Sequence, residues 1–126
     1  MYTANPYNVY KQNSVNMASS QQLLLMLLDG AVKYTKIARL AILNKDIPRA
    51  HKELVRVQDI FLELMITMDK NAGYMEDLYN LYDFIKNELA KANLRKDVNI
   101  IDEVLPLIEE IRDLWYEVDK KIKSGK

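Results

Sequence analysis

Leu23-Leu24-Leu25-Met26-Leu27-Leu28-Asp29-Gly30-Ala31-Val32 is the stretch on which the reading of this chain turns. It opens a helix whose apolar residues run round more than one side. A surface helix needs one apolar stripe, recurring at i, i+3, i+4 and i+7, and leaves the rest polar. Here Leu24, Leu28, Ala31, Ala38 and Ile42 fall on one stripe, and Leu23, Leu27, Tyr34, Ile37 and Ala41 fall on a neighbouring one. One stripe faces the core. The other needs a second cover: a further helix of the same chain, a second copy, or a partner.

Working outward, Ser19 with Gln22 three residues later forms a capping-box pattern, so a first helix is expected from there to about Asn44. Gly30 interrupts it at a cost of about 1 kcal/mol against Ala, and is expected to admit the close approach of another backbone. Asp46 is placed to cap a second helix, with Pro48 tolerated in its first turn. Ala50, Leu54, Val57, Phe61, Leu64 and Met68 keep helical spacing there, until Asp69 to Gly73 ends it. A third helix is expected from about Tyr74 to Asn93 on Leu78, Leu81, Tyr82, Ile85, Leu89 and Ala92, with Tyr79 and Phe84 off its stripe. Asp97 caps a fourth, through Ile101, Val104, Ile108, Ile111, Trp115, Val118 and Ile122, which Pro106 is expected to bend. Four helices on short connections predict an all-α, antiparallel up-down-up-down four-helix bundle over residues 19–123. It is preceded by an extended or short-helical segment, residues 1–18. That segment has no period, yet Tyr7, Tyr10, Val15 and Met17 make it more apolar than a free tail needs.

Composition narrows the function. Lys+Arg and Asp+Glu are both 18, so no net field attracts nucleic acid or an anionic membrane. There is no Cys, hence no disulfide framework, thiol nucleophile or thiolate metal site. His51 is the single histidine, and a di-iron bundle would need inward Glu with Glu-x-x-His pairs. No glycine-rich phosphate loop or Gly-x-Ser-x-Gly elbow is present. Asp102-Glu103 and Glu109-Glu110 are adjacent pairs that diverge on a helix, and read as solvated faces. Neither catalysis nor a cofactor is expected. Residues 1–16 lack the basic and then apolar leader of a secreted protein, and the apolar run at Leu23 is too short to span a bilayer. The cytosol is the expected compartment.

The ordered set Asn5-Pro6-Tyr7, Tyr10, Gln12-Asn13-Ser14-Val15, Ala18-Ser19, Met26-Leu27, Asp29-Gly30, Leu81-Tyr82-Asp83-Phe84, Ala92-Asn93 and Arg112-Asp113-Leu114-Trp115 resembles that of the flagellin export chaperones, the FliS family, over residues 2–118. Two positions depart from the pattern: Leu28 stands where the family often has an aromatic residue, and Ser20 where Pro is common. The resemblance implies a cytoplasmic, non-enzymatic chaperone that binds the C-terminal helical segment of flagellin, prevents premature polymerisation and delivers it to the flagellar type III export machinery. Partner contacts are then expected at Tyr7, Tyr10, Val15, Leu23, Leu27, Tyr34, Ile37 and Ala41. The first three are expected to lie in an apolar groove until flagellin displaces them, and Tyr10 to lie on a surface read by the export gate. The free form is expected to be a monomer or weak dimer. Two other classes compete: a homodimeric structural bundle that buries the second stripe against its own copy, and a phosphotransfer domain with His51 as acceptor.

Overall fold

The computed structural model describes residues 20–68, 73 and 75–125. They form four helices, α1 (Ser20–Leu43), α2 (Ile47–Ile66), α3 (Met75–Arg95) and α4 (Val98–Ser124), with no strand among the described residues. The segment 1–18, its Tyr7, Tyr10 and Val15, and the Ser19 cap lie outside the described residues.

Two connections are tight and share one chemistry. Lys45 and Lys96 take positive φ, 61° and 48°, and close α1 and α3. The next N–H, of Asp46 or Asp97, then reaches back to the carbonyl of Ala41 (2.8 Å) or Ala92 (3.2 Å), the six-residue closure of a Schellman turn. Each Asp then caps the following helix, Asp46 accepting from the Arg49 N–H and Asp97 from the Asn99 N–H. Because Lys96 alone makes the reversal, α3 runs on to Arg95, past the expected end at Asn93. At the other end α2 stops short of Asp69. The Thr67 hydroxyl and N–H both return to the Glu63 carbonyl and close the helix at Ile66. α4 continues through Pro106, which leaves carbonyl 102 without its helical donor.

Cross-helix contacts set the directions. From α1 to α4, Asp29 meets Tyr116, Lys36 meets Glu109 and Arg39 meets Asp102, so one number rises as the other falls. From α2 to α3, His51 meets Asn93 and Phe61 meets Tyr82. Arg56 of α2 covers Tyr34 of α1, and Ile60 lies beside Gly30. All three pairs are antiparallel, which makes α3 and α4 antiparallel too. Each helix touches two neighbours, α1 with α2 and α4, α3 with α2 and α4, and the diagonal pairs do not approach. The bundle is a closed ring of four.

The core runs along its axis through Leu28, Ala31 and Ala38, Leu54, Val57 and Phe61, Tyr82, Ile85 and Leu89, and Ile101, Val104 and Ile108. Thr35, fully buried among them, donates its hydroxyl to the Ala31 carbonyl at 2.7 Å and so carries no unmet polar group inward. Phe61 meets Tyr82 edge-on at 5.8 Å, and the Trp115 indole N–H donates to the Tyr82 oxygen at 3.2 Å. This aromatic line ties α2, α3 and α4 together. Gly30 faces the Tyr34 and Ile60 side chains, not a neighbouring backbone, which corrects the expected reason for a glycine there.

Candidate functional site

The outer grooves between neighbouring helices fall into two kinds. The α1/α4 seam is laced by hydrogen bonds and ion pairs between the two helices, and the α1/α2 seam carries polar groups that belong to α2. On the α4 side, Tyr116 donates to Asp29 at 2.5 Å, Lys36 pairs with Glu109 at 3.6 Å, and Arg39 pairs with Asp102 at 2.5 Å. Its hydrogen bond to Arg39 holds the Asp102 carboxyl below the usual range, and the bond to Asp29 raises the Tyr116 phenol. On the α2 side, the Arg56 guanidinium lies 4.4 Å from the Tyr34 ring centroid while donating to Glu53 at 3.1 Å; Arg49 donates to the same carboxylate at 2.7 Å.

The two seams that border α3 carry exposed apolar residues beside the His51–Asn93 and Trp115–Tyr82 hydrogen bonds. His51 marks the flank of α2 that faces α3, and Val55, Leu62 and Ile66 follow it on that flank at helical spacing, with Leu62 47% and Ile66 64% exposed. Tyr79 stands on the matching flank of α3, the one that carries Asn93, and is exposed as well. On α4, Asp102, Glu109 and Tyr116 face α1, which turns Leu107 and Leu114 to the opposite flank and hence to α3. Phe84 lies on the α4-facing flank of α3; it is 50% exposed, and Leu114 55%. Exposed large apolar residues in rows along a groove are the surface a helical partner covers.

The residues chosen from the sequence divide differently. Leu27 and Ala41 are buried, and because Gly30 and Tyr34 on the same stripe meet Ile60 and Arg56, α2 is what covers them. Leu23, Tyr34 and Ile37 on that stripe are half-buried and keep surface along the α1/α2 seam. Sequence reasoning did not single out Leu25 and Val32, which are buried on the α4 side, or the rows at Leu62, Ile66, Leu107 and Leu114 as surface. The available signal was apolar residues off the helical stripe, noticed only for Tyr79 and Phe84. His51 is exposed, with Nδ1 3.0–3.3 Å from the Asn93 side-chain amide. Among the described residues no group of three or more His, Asp or Glu gathers where a metal ion would be held, and no helix is long and apolar enough to cross a membrane.

Comparison with known proteins gives a match to the family model for flagellar protein FliS over residues 3–122. The chain belongs to the FliS family. It is 36% identical to the flagellar secretion chaperone FliS of Bacillus subtilis (strain 168), over 99% of this chain and 96% of that protein. It is 33% identical to the flagellar secretion chaperone FliS of Salmonella typhimurium, over 96% and 95% of the two chains. A crystal structure of a bacterial flagellar chaperone superposes with a TM-score of 0.76 at 14% identity, covering 92% of this chain and 96% of that one, and so shares the fold. These relatives are named as chaperones, a non-enzymatic role. The FliS motif residues from Met26 onward now have places. In Leu81-Tyr82-Asp83-Phe84, Tyr82 enters the core and Phe84 faces out; in Arg112-Asp113-Leu114-Trp115, Trp115 turns in to Tyr82 and Leu114 faces out beside α3. Asp29 accepts from Tyr116, Asn93 meets His51, and Leu28 fills its FliS-family position fully buried.

Proposed function

We propose that this chain is a cytoplasmic export chaperone that binds the C-terminal helical region of unpolymerised flagellin, keeps it from assembling and presents it to the flagellar export gate. The observation that carries this reading is the pair of seams along α3 lined by apolar residues, Leu62, Ile66 and Tyr79 on one side and Phe84, Leu107 and Leu114 on the other. Such seams accept amphipathic helices laid lengthwise, anchored every three or four residues. A client segment that is disordered until it binds gives up about 2–5 kcal/mol in ordering, so it must cover more than one seam for useful affinity. Family membership supports a flagellar export client, because the relatives named above are flagellar secretion chaperones.

The segment containing Tyr7, Tyr10 and Val15, together with Leu23, Leu27, Tyr34, Ile37 and Ala41 of α1, forms the remainder of the proposed partner surface, with the N-terminal residues acting as a displaceable lid. Leu27 and Ala41 serve it from beneath, by shaping α1 against α2. Titration calorimetry of the chain with the C-terminal fragment of its cognate flagellin tests the reading. A one-to-one complex with a negative heat-capacity change is expected. Phe84→Ala and Leu62→Ala should each weaken binding by about 1–2 kcal/mol while moving stability by less than about 0.5 kcal/mol. Absence of binding to the cognate fragment would refute the proposed client.

A further inference from the structure

The chain is neutral overall, yet the α1/α2 seam is not. Arg49 and Arg56 stand there on the carboxylate of Glu53, whose side chain is 1% exposed, with Lys33 beside them at the Tyr34 ring. Arg49 binds that carboxylate through Nε and Arg56 through one terminal nitrogen, while about half of each side chain is left in water. A guanidinium carries five N–H donors, so both keep unspent donors on their outer edges. The buried carboxylate between them fixes their position, and Arg56 also rests on the Tyr34 ring, with the Lys33 ammonium 5.8 Å from the same ring. The ordering entropy of two long cationic side chains is thus largely lost before anything binds. Ile37 lies half-buried in the same part of α1, on the flank that carries Tyr34.

We propose that this part of the α1/α2 seam docks an acidic amphipathic helix of a partner protein. Its carboxylates take the outer edges of Arg49 and Arg56 and the ammonium of Lys33, and its apolar residues cover Ile37 and Tyr34. The water-facing edges of Arg49 and Arg56, with the Lys33 ammonium beside them, repel a basic segment and favour an acidic one. The apolar neighbours select a protein helix over a polyanion, and Arg56 already occupies a face of Tyr34 on which a base would stack. The inference gives the α1/α2 part of the proposed partner surface its chemistry, and rests on that reading only in this respect. The seams along α3 are separate from it.

The test uses the full chain with isotope-labelled backbone and arginine Nε–H groups. It is titrated with a synthetic helical peptide bearing Glu along one flank and Leu along the next, and with its Lys-for-Glu counterpart. The acidic peptide should shift Arg49 and Arg56 Nε–H and the Lys33 amide, with affinity falling about tenfold between low and moderate salt. Lys33→Glu, an exposed change that spares the Glu53 network, should weaken binding about tenfold at unchanged Tm, and Arg49→Gln should act in the same direction. Shifts confined to other surfaces, equal binding of the Lys counterpart, or undiminished binding by Lys33→Glu would overturn the proposal. A parallel titration with the flagellin fragment, read on α3 resonances, reports on the client separately, so either reading can fail without the other.

Discussion

Glu53 lies on the inward side of α2 with its carboxylate held between two guanidiniums. Burial by itself pushes a carboxyl pKa up, but the hydrogen bonds and charges of Arg49 and Arg56 outweigh it and hold Glu53 below the usual value. A depressed folded-state pKa contributes stability that is complete above the unfolded value, about 4.3, and is lost as pH falls through the folded one. The urea midpoint should therefore drop on acidification below about pH 4, and Glu53→Gln should blunt that drop while costing about 1–2 kcal/mol at neutral pH. An acid profile unchanged by Glu53→Gln would refute this account. The Arg49-Glu53-Arg56 spacing is legible in the sequence; the burial is not, because a charge at that point of a helical wheel reads as solvated. Gly30 offers a second residue-scale outcome. A Cβ there would meet Tyr34 at 3.4 Å and Ile60 at 3.5 Å, ordinary contact with side-chain ends. Gly30→Ala should raise stability by about 0.5–1 kcal/mol in chemical denaturation, as expected inside a helix.

At the scale of elements, α1 and α3 occupy opposite corners of the ring. α1 is joined to α4 by hydrogen bonds and ion pairs and rests on α2 through the Arg56–Tyr34 contact, whereas α3 is bonded to its neighbours through Tyr82 and Asn93 and packs less closely against them. Native-state hydrogen exchange should accordingly run faster in α3 than in the middle of α1, and a bound client should slow it most in α3. The reverse order in the free protein would contradict the assignment of α3 as the docking helix. The two tight turns place Lys in the left-handed region, which costs about 1 kcal/mol that glycine does not incur. Lys45→Gly and Lys96→Gly should each stabilise by about 0.5–1 kcal/mol, measurable as a higher Tm. Four helices, both Asp caps and the core stripes were readable from periodicity and capping chemistry. The destination of the second stripe on α1 was not. A helical wheel counts apolar sides without saying which neighbour takes each, and here α2 takes Leu27 and Ala41 while α4 takes Leu25 and Val32. The sequence pointed to α1 for partner contacts, and the structure adds exposed apolar residues beside α3 at Leu62, Ile66, Phe84 and Leu114.

For the whole molecule, the functional class came from the order of short motifs and not from any chemistry the composition offered, since a neutral chain with no Cys and one His excludes more than it suggests. What joins those motifs in space is the ring: α1 packs on α4, so elements farthest apart in sequence are direct neighbours. Gln21, near the start of α1, approaches the carbonyl of Trp115 on the last helix. The start of α1 and the close of α4 thus sit at one end of the bundle, and the two Lys-Asp reversals at the other. Covalent order is then almost arbitrary as far as packing is concerned. Joining Lys126 to Met1 and reopening the backbone between Lys45 and Asp46 would give a chain that begins with α2 and ends with α1, yet keeps all four helix pairings. It should still fold, lose about 1 kcal/mol with the severed turn, and differ from the parent chiefly in which neighbours meet first as it folds.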